Sequence, residues 1–504
     1  KSYQVLSLDD IGVTDSAYGA YSGNVNSTIT GGSFSADPAD YLSEDYQSVA
    51  GEDGLYTVSM KDAVATIGEN KYTSLAKAIA AAQDDDTVTL VADTTEDISI
   101  SGTKNLTLDL GGKTLTNTGS GKATLFVGGG ASVSVKDGSI IGGASYYNIQ
   151  CGTEADPTGS IELTDVTATA GNDGSSMIDN WGILTIHSGT YTGGINTVKS
   201  EPTGTLYING GSFECSYAKA YGFTGVILSY GTATVTGGTF TQNATTYRAY
   251  PAVFVTAKDK DDDRPPHTII TGGTFINNHS NKKTTYAMGK ASNSDFEITG
   301  GFYSTAPASS AIANGYGVTP KDSNGYYSIA PAKNITVESA ENGEISSAPS
   351  CAVPGSQVSL KISPTTGYTL DTITITKDST GEEVYVHGNS TKQYFTMPDD
   401  NVIIRLTFKV ADYKITVKAT NGTVTAPETA QYGDKVALSV NADPGYELSS
   451  IKVKQASKNV TLNKDNTFTM PAGAVTITAT FKAIPYTITV ADAENGSVSV
   501  NAET

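Results

Sequence analysis

Apolar and polar residues alternate in short runs over the first two thirds of the chain, and each run closes on a turn residue. Ser132-Val133-Ser134-Val135, Ile161-Glu162-Leu163, Ile183-Leu184-Thr185-Ile186, Leu206-Tyr207-Ile208 and Thr232-Ala233-Thr234-Val235 all carry the period of two. That period, with β-branched residues and a closing glycine or aspartate, predicts strands followed by turns. The turns recur. Their first residues fall at 111, 137, 164, 188, 210, 237, 272 and 300, in steps of 26, 27, 24, 22, 27, 35 and 28 residues. Several read as Gly210-Gly211-Ser212-Phe213 does, with Gly237-Gly238-Thr239-Phe240 and Gly272-Gly273-Thr274-Phe275 beside it. A unit of this length that keeps returning predicts stacked coils pairing in parallel, about 4.8 Å per layer and roughly 40 Å for eight layers. Tyr191, Phe213, Phe240, Phe275 and Tyr303 each sit three residues after a turn start. Stacking then predicts one aromatic column.

One helix stands out, over Tyr72–Ala82. Leu75, Ala78, Ile79 and Ala82 form its apolar stripe, Thr73 or Ser74 can cap it, and Asp84-Asp85-Asp86 ends it. Lying just before the first coil, it is expected to cover the open end of the stack.

The first 60 residues resemble the end of the coiled region. Thr30-Gly31-Gly32-Ser33-Phe34-Ser35 leads to Gly54-Leu55-Tyr56 much as Thr299-Gly300-Gly301-Phe302-Tyr303-Ser304 leads to Gly325-Tyr326-Tyr327. Residues 1–60 therefore read as the terminal coil and exit segment of a preceding β-helix, and 61–330 as a second one. The chain is expected to be a piece of a longer modular protein, with export signal and anchor outside it. After 330 the pattern changes to a different unit. Asn342-Gly343, Gly367-Tyr368 and Phe395-Thr396-Met397-Pro398 return as Asn421-Gly422, Gly445-Tyr446 and Phe468-Thr469-Met470-Pro471. Alternating strands with such turns predict small all-β domains at 331–410 and 411–484, and a truncated third at 485–504.

Charge narrows the partners. With 52 acidic against 32 basic side chains, the net charge of −20 argues against nucleic acid or an anionic membrane as the main partner. No apolar run approaches the ~18 residues a membrane span needs. Cys151, Cys215 and Cys351 show no CxxC spacing or Cys/His cluster, so plain thiols are expected. A monomeric module of a longer chain is the expected state.

Both halves resemble known families. Tyr72-Thr73-Ser74-Leu75 with Leu106-Thr107-Leu108-Asp109-Leu110-Gly111-Gly112-Lys113 resembles the entry of right-handed parallel β-helix domains of pectate-lyase-like shape. Gly445-Tyr446-Glu447-Leu448 and Phe468-Thr469-Met470-Pro471-Ala472-Gly473 resemble divergent internalin-type B repeats. The resemblance implies an all-β protein, a right-handed parallel β-helix with an N-terminal capping helix followed by tandem small all-β repeat domains. It also implies an extracellular bacterial surface protein or adhesin, of the kind carried by Gram-positive and gut bacteria.

Candidate chemistry is sparse. A β-helix hydrolase needs two or three carboxylates on adjacent coils, and a lyase a calcium site or neutralising base beside the sugar. The coils offer no such set, and His187, His267, His279 and His387 are scattered. The nearest lateral cluster is Asp173, Asp179 and Asn180 on one coil with Lys199 on the next. Tyr146, Tyr147, Asp179, Asn180 and Trp181 would suit a shallow sugar-binding groove, with rings to stack and polar groups for hydroxyls. Ordinary surface tyrosines are the competing reading. Other aromatics, Tyr217, Tyr221, Tyr230, Tyr247 and Tyr250, show no register with the turns. Asp259, Asp261 and Asp263 have the spacing of a Ca²⁺ loop, but the sixth position is Arg264 and the twelfth Ile270. An inserted charged loop without cofactor is the expectation. Function then reads as an adhesin or stalk module presenting a lateral face to a glycan or protein. A polysaccharide lyase or glycoside hydrolase is the alternative, and a purely structural spacer a third.

Overall fold

The computed structural model describes residues 29–172, 174–216, 225–243, 252–259, 264–278, 288–290, 295–492 and 494–500. The chain divides into two units, Lys1–Pro331 and Ala332–Thr504. The fold class is all-β, a parallel β-helix with a capping helix, followed by small all-β domains.

Within the first unit, every coil lays strands onto the coil before it in parallel. Leu108, Val135, Leu163, Ile186, Ile208, Val235, Ile270 and Ile298 stand side by side through this register. All eight are buried in a single core. Leu115, Ile140, Ala168, Tyr191, Phe213, Phe240, Phe275 and Tyr303 make a second inward column. Its aromatic part stacks as expected, with ring centroids 4.9–5.0 Å apart and planes within 13°. The end tyrosines satisfy their hydroxyls locally, Tyr191 on Ser188 O at 2.8 Å and Tyr303 on Gly300 O at 2.7 Å.

The Gly-Gly turns have two separate causes. A Cβ on Gly237 would meet Asn209 O of the preceding coil at 2.4 Å, and Gly238 has φ +99°. The first glycine gives room and the second gives the left-handed backbone. At Asp137 (φ 59°) and Asp165 (φ 53°) the predicted turns are only bends. Ser132–Ile141 and Ser160–Thr169 each continue as one strand, because a single left-handed residue interrupts the ladder without ending it.

The helix runs from Leu75 to Ala81. Ser74 caps it, its Oγ accepting from Lys77 N–H at 3.2 Å. Glu96 takes the Leu75 and Ala76 N–H groups at 2.8 and 2.9 Å. Lys104 donates to Ile79 O and Ala82 O at the other end, at 2.8 and 3.1 Å. Leu75, Ala78, Ile79 and Ala82 join the core of the coils, so the helix closes it.

Residues 29–60 repeat the geometry of 298–331. Ile29 bridges Leu42 in parallel as Ile298 bridges Ile312. Gly32–Phe34 and Tyr46–Ala50 then pair antiparallel with Tyr56–Met60, as Phe302–Tyr303 and Tyr316–Val318 pair with Tyr327–Pro331.

The second unit contains two similar β domains, each with its own core. Tyr368–Lys377 pairs antiparallel with Val402–Val410, and Tyr446–Gln455 pairs likewise with Val475–Ala483. Asn342, Asn421 and Asn495 take left-handed φ of 66°, 64° and 69° in their Asn-Gly turns.

Candidate functional site

A separate parallel sheet of eight strands forms another wall of the helix. Its inner residues Ile149, Ile178, Val198, Ile227 and Phe254 fill the core. The residues between them point the other way, so Ser99, Phe126, Gln150, Asp179, Lys199, Leu228 and Val255 form an outward row. Two residues further on, the same alternation aligns Trp181, Glu201, Tyr230 and Ala257. Trp181 and Tyr230 therefore do share a register, one set by this sheet rather than by the glycine turns.

Asp179 lies at the centre. It is 1% exposed, and its Oδ2 accepts from Trp181 Nε1 at 3.0 Å and Gln150 Nε2 at 3.5 Å. Its Oδ1 has no hydrogen-bond partner. Burial first, then the charge of Glu201, push Asp179 up to about 7, against the pull of Lys199 and the Trp181 bond. A carboxyl group this deeply buried beside a second carboxylate resists ionisation, so Asp179 keeps its proton up to about neutral pH. Lys199 forms an ion pair with Glu201, which is itself 4% exposed. Burial works against the Lys199 charge, yet the Glu201 pair outweighs it and holds the ammonium above its usual value. Lys199 Nζ also lies 5.5 Å from the Tyr230 ring centre, a cation–π contact.

Tyr146 and Tyr147 stand at the edge of this cluster with ring centres 4.6 Å apart. Burial, and secondarily the charge of Asp179, raises the Tyr147 hydroxyl well above its ordinary value. Tyr146, Phe126 and Gln150 also line a cavity of about 390 Å³ with Asp97, Ser99 and Lys122. Half-buried rings thus lie over buried carboxyls and an amide on the outer side of this sheet.

Asn180 does not belong to that surface. It points inward in a polar column with Cys151, Ser200 and Ser229, and its Nδ2 donates to Ser200 Oγ at 3.1 Å and Thr205 O at 3.2 Å. Glu201 and Gln150 are the residues that sequence reading missed. The expectation that adjacent coils offer no carboxylate pair is corrected by Asp179 and Glu201. The available signal was offset: Glu201 follows Lys199 by two, as Trp181 follows Asp179.

Asp173, Tyr217, Tyr221, Tyr247, Tyr250, His279, Asp261 and Asp263 lie outside the described residues, so the calcium-loop spacing stays a sequence feature. Among the described residues no group of three His, Cys, Asp or Glu side chains could hold a metal. Cys151 and Cys215 are buried, whereas Cys351 is exposed. Burial pushes Cys151 up to about 12, which leaves it without thiolate character at neutral pH. No helix among the described residues is long and apolar enough to cross a membrane.

Fold and surface together define a class, a parallel β-helix carried in one chain with small tandem β domains. Residues 333–412 and 413–485 each match the divergent InlB B-repeat domain family. Domains of this family occur in bacterial surface proteins, which is compatible with a surface or stalk module. No curated protein and no solved structure matches the chain.

Proposed function

We propose that this chain is part of an extracellular adhesin whose β-helix presents a lateral glycan-binding face, with the B repeats as spacers. The observation that carries the reading is the convergence of half-buried Trp181, Tyr146, Tyr147 and Tyr230 with Lys199 on the outer side of one sheet, over the buried Asp179, Glu201 and Gln150. Ring faces carry partial negative charge and attract the polarised C–H groups of a sugar. The partly exposed Lys199 ammonium among them matches hydroxyls, and the buried Asp179, Glu201 and Gln150 beneath hold the ring and ammonium groups in place. A rigid parallel sheet holds these groups in place, so little ordering is lost on binding.

Trp181 is the only tryptophan, which makes its fluorescence a reporter of this face alone. Titration with oligosaccharides from pectin, mucin and glycosaminoglycans is expected to shift that emission with one of them, and the shift should vanish in Lys199→Ala. Unchanged emission across all three classes would rule the reading out.

The Asp179–Glu201 pair favours a second reading, a glycoside hydrolase or lyase using Asp179 as proton donor. Reducing ends released by the parent chain and not by Asp179→Asn would establish it.

A further inference from the structure

We propose a second saccharide site, on the first B repeat, where Tyr385, His387 and Tyr394 form a solvent-facing ring platform for a neutral pyranose chain. It is independent of the β-helix face.

The argument starts from the difference between the two repeats. They run 78 residues apart at Gly367 and Gly445, but 73 apart at Phe395 and Phe468. The first repeat thus holds five extra residues in that interval. In the second repeat, Tyr446–Gln455 turns at Ala456 and Lys458–Val460 pairs straight back on it. In the first, Thr376 bridges Glu383, and the chain then adds the strand Val386–Gly388 against Lys392–Thr396. No equivalent strand accompanies Thr467–Thr469. Since the second repeat builds its core without it, the extra strand is not required by the fold.

What the strand carries is informative. Val384 and Val386 pack on the core. The alternate residues Tyr385 and His387 face water, and Tyr385 is 76% exposed. His387 lies opposite Tyr394 on the neighbouring strand, their rings 4.9 Å apart and within 8° of parallel. Tyr385 meets His387 edge-on at 4.5 Å. Segment 455–467 of the second repeat contains no aromatic residue and no histidine. Rings stacked outward gain nothing from core burial, and the exposure of Tyr385 leaves a large apolar face to water.

Of the three rings Tyr385 lines a cavity of about 540 Å³, together with Ile373, Thr374, Glu383, Gln393 and Gly388 among others. That volume falls in the usual range for small-ligand sites. Its side-chain polar groups are two hydroxyls, from Thr374 and Tyr385, an amide and a single carboxylate, with no cation. This composition fits a neutral polyhydroxylated ligand and repels an anionic one. The exposed Tyr385 ring, which lines this cavity and is met edge-on by the stacked His387 and Tyr394 pair, suits the C–H face of a pyranose, whose hydroxyls then meet Thr374, Glu383 and Gln393.

The test is native affinity electrophoresis of the full chain in gels cast with laminarin, galactomannan or hydroxyethyl cellulose. Retardation by at least one polymer is expected. Tyr385→Ala and Tyr394→Ala should each weaken it about fivefold, since a ring contact is worth on the order of 1 kcal/mol. Tyr385→Phe should retain it, and Tyr385→Ala should weaken it as much in a Trp181→Ala background as in the parent chain, which separates this site from the β-helix face. Unchanged thermal transitions would show that the alanine variants remain folded. No retardation by any of the three, or retardation indifferent to both alanine substitutions, would overturn the proposal. So would capture of an extended peptide along the Val386–Gly388 edge in place of a sugar.

Discussion

At the scale of single residues, Asp179 is where burial and charge conflict most. Its ordinary value of 3.8 rises to about 7 in the native chain. Between about pH 4 and pH 7 the unfolded chain therefore releases a proton that the native chain keeps. The contribution of this group to stability is highest below that window, falls as pH rises through it, and levels off above 7. Asp179→Asn removes the titration and keeps an amide oxygen able to accept from Trp181 Nε1. From pH 4 to pH 8 the parent should lose on the order of 4 kcal/mol relative to this variant, as read by denaturant unfolding. Parallel pH profiles would refute the raised value of Asp179. Asp179 and Trp181 were visible in the sequence as members of a polar, aromatic stretch. Glu201 was not, because nothing in a linear reading shows that 201 stands over 181. Asn180 was misplaced for a related reason: neighbours in a strand point to opposite faces, and only the core shows which face is which.

Elements follow local chemistry closely. The helix was legible because its stripe, its Ser74 cap and its acidic stop lie within a dozen residues of one another. The Glu96 carboxylate that takes its first N–H groups comes from 20 residues later and belongs to the next coil. Glu96→Ala is expected to destabilise the first unit by about 1 kcal/mol, through two buried-end N–H groups losing their acceptor. A glycine turn should be less forgiving. A Cβ on Gly272 would lie 2.2 Å from Thr236 O of the coil below. Gly272→Ala should therefore cost roughly 2 kcal/mol or more in thermal unfolding, while a change under 0.5 kcal/mol would mean the coils slide apart freely. The strands that pass through Asp137 and Asp165 show the limit of turn signals. An aspartate there marks a left-handed residue, but pairing with coils above and below decides whether the strand ends.

For the whole molecule, two units with separate cores should unfold separately. Phe240 lies in the middle of the aromatic column and is fully buried. Phe240→Ala should lower the calorimetric transition of the first unit by the equivalent of about 3 kcal/mol and leave that of the B repeats in place. A single transition shifting as one would show that the units fold together. The coiled stack, its aromatic column, the capping helix and the paired β repeats were all determined by the sequence alone. Each depends on a period or a cap whose physical cause is local: alternation, left-handed glycine, side-chain capping. The outward face with Asp179, Glu201, Lys199, Trp181 and Tyr230 was decided only by the tertiary structure, and so was the ring platform on the first repeat. The reason is that coils of unequal length shift the sequence offset from layer to layer, and hydrogen-bonded registry between strands, not spacing along the chain, brings such side chains together.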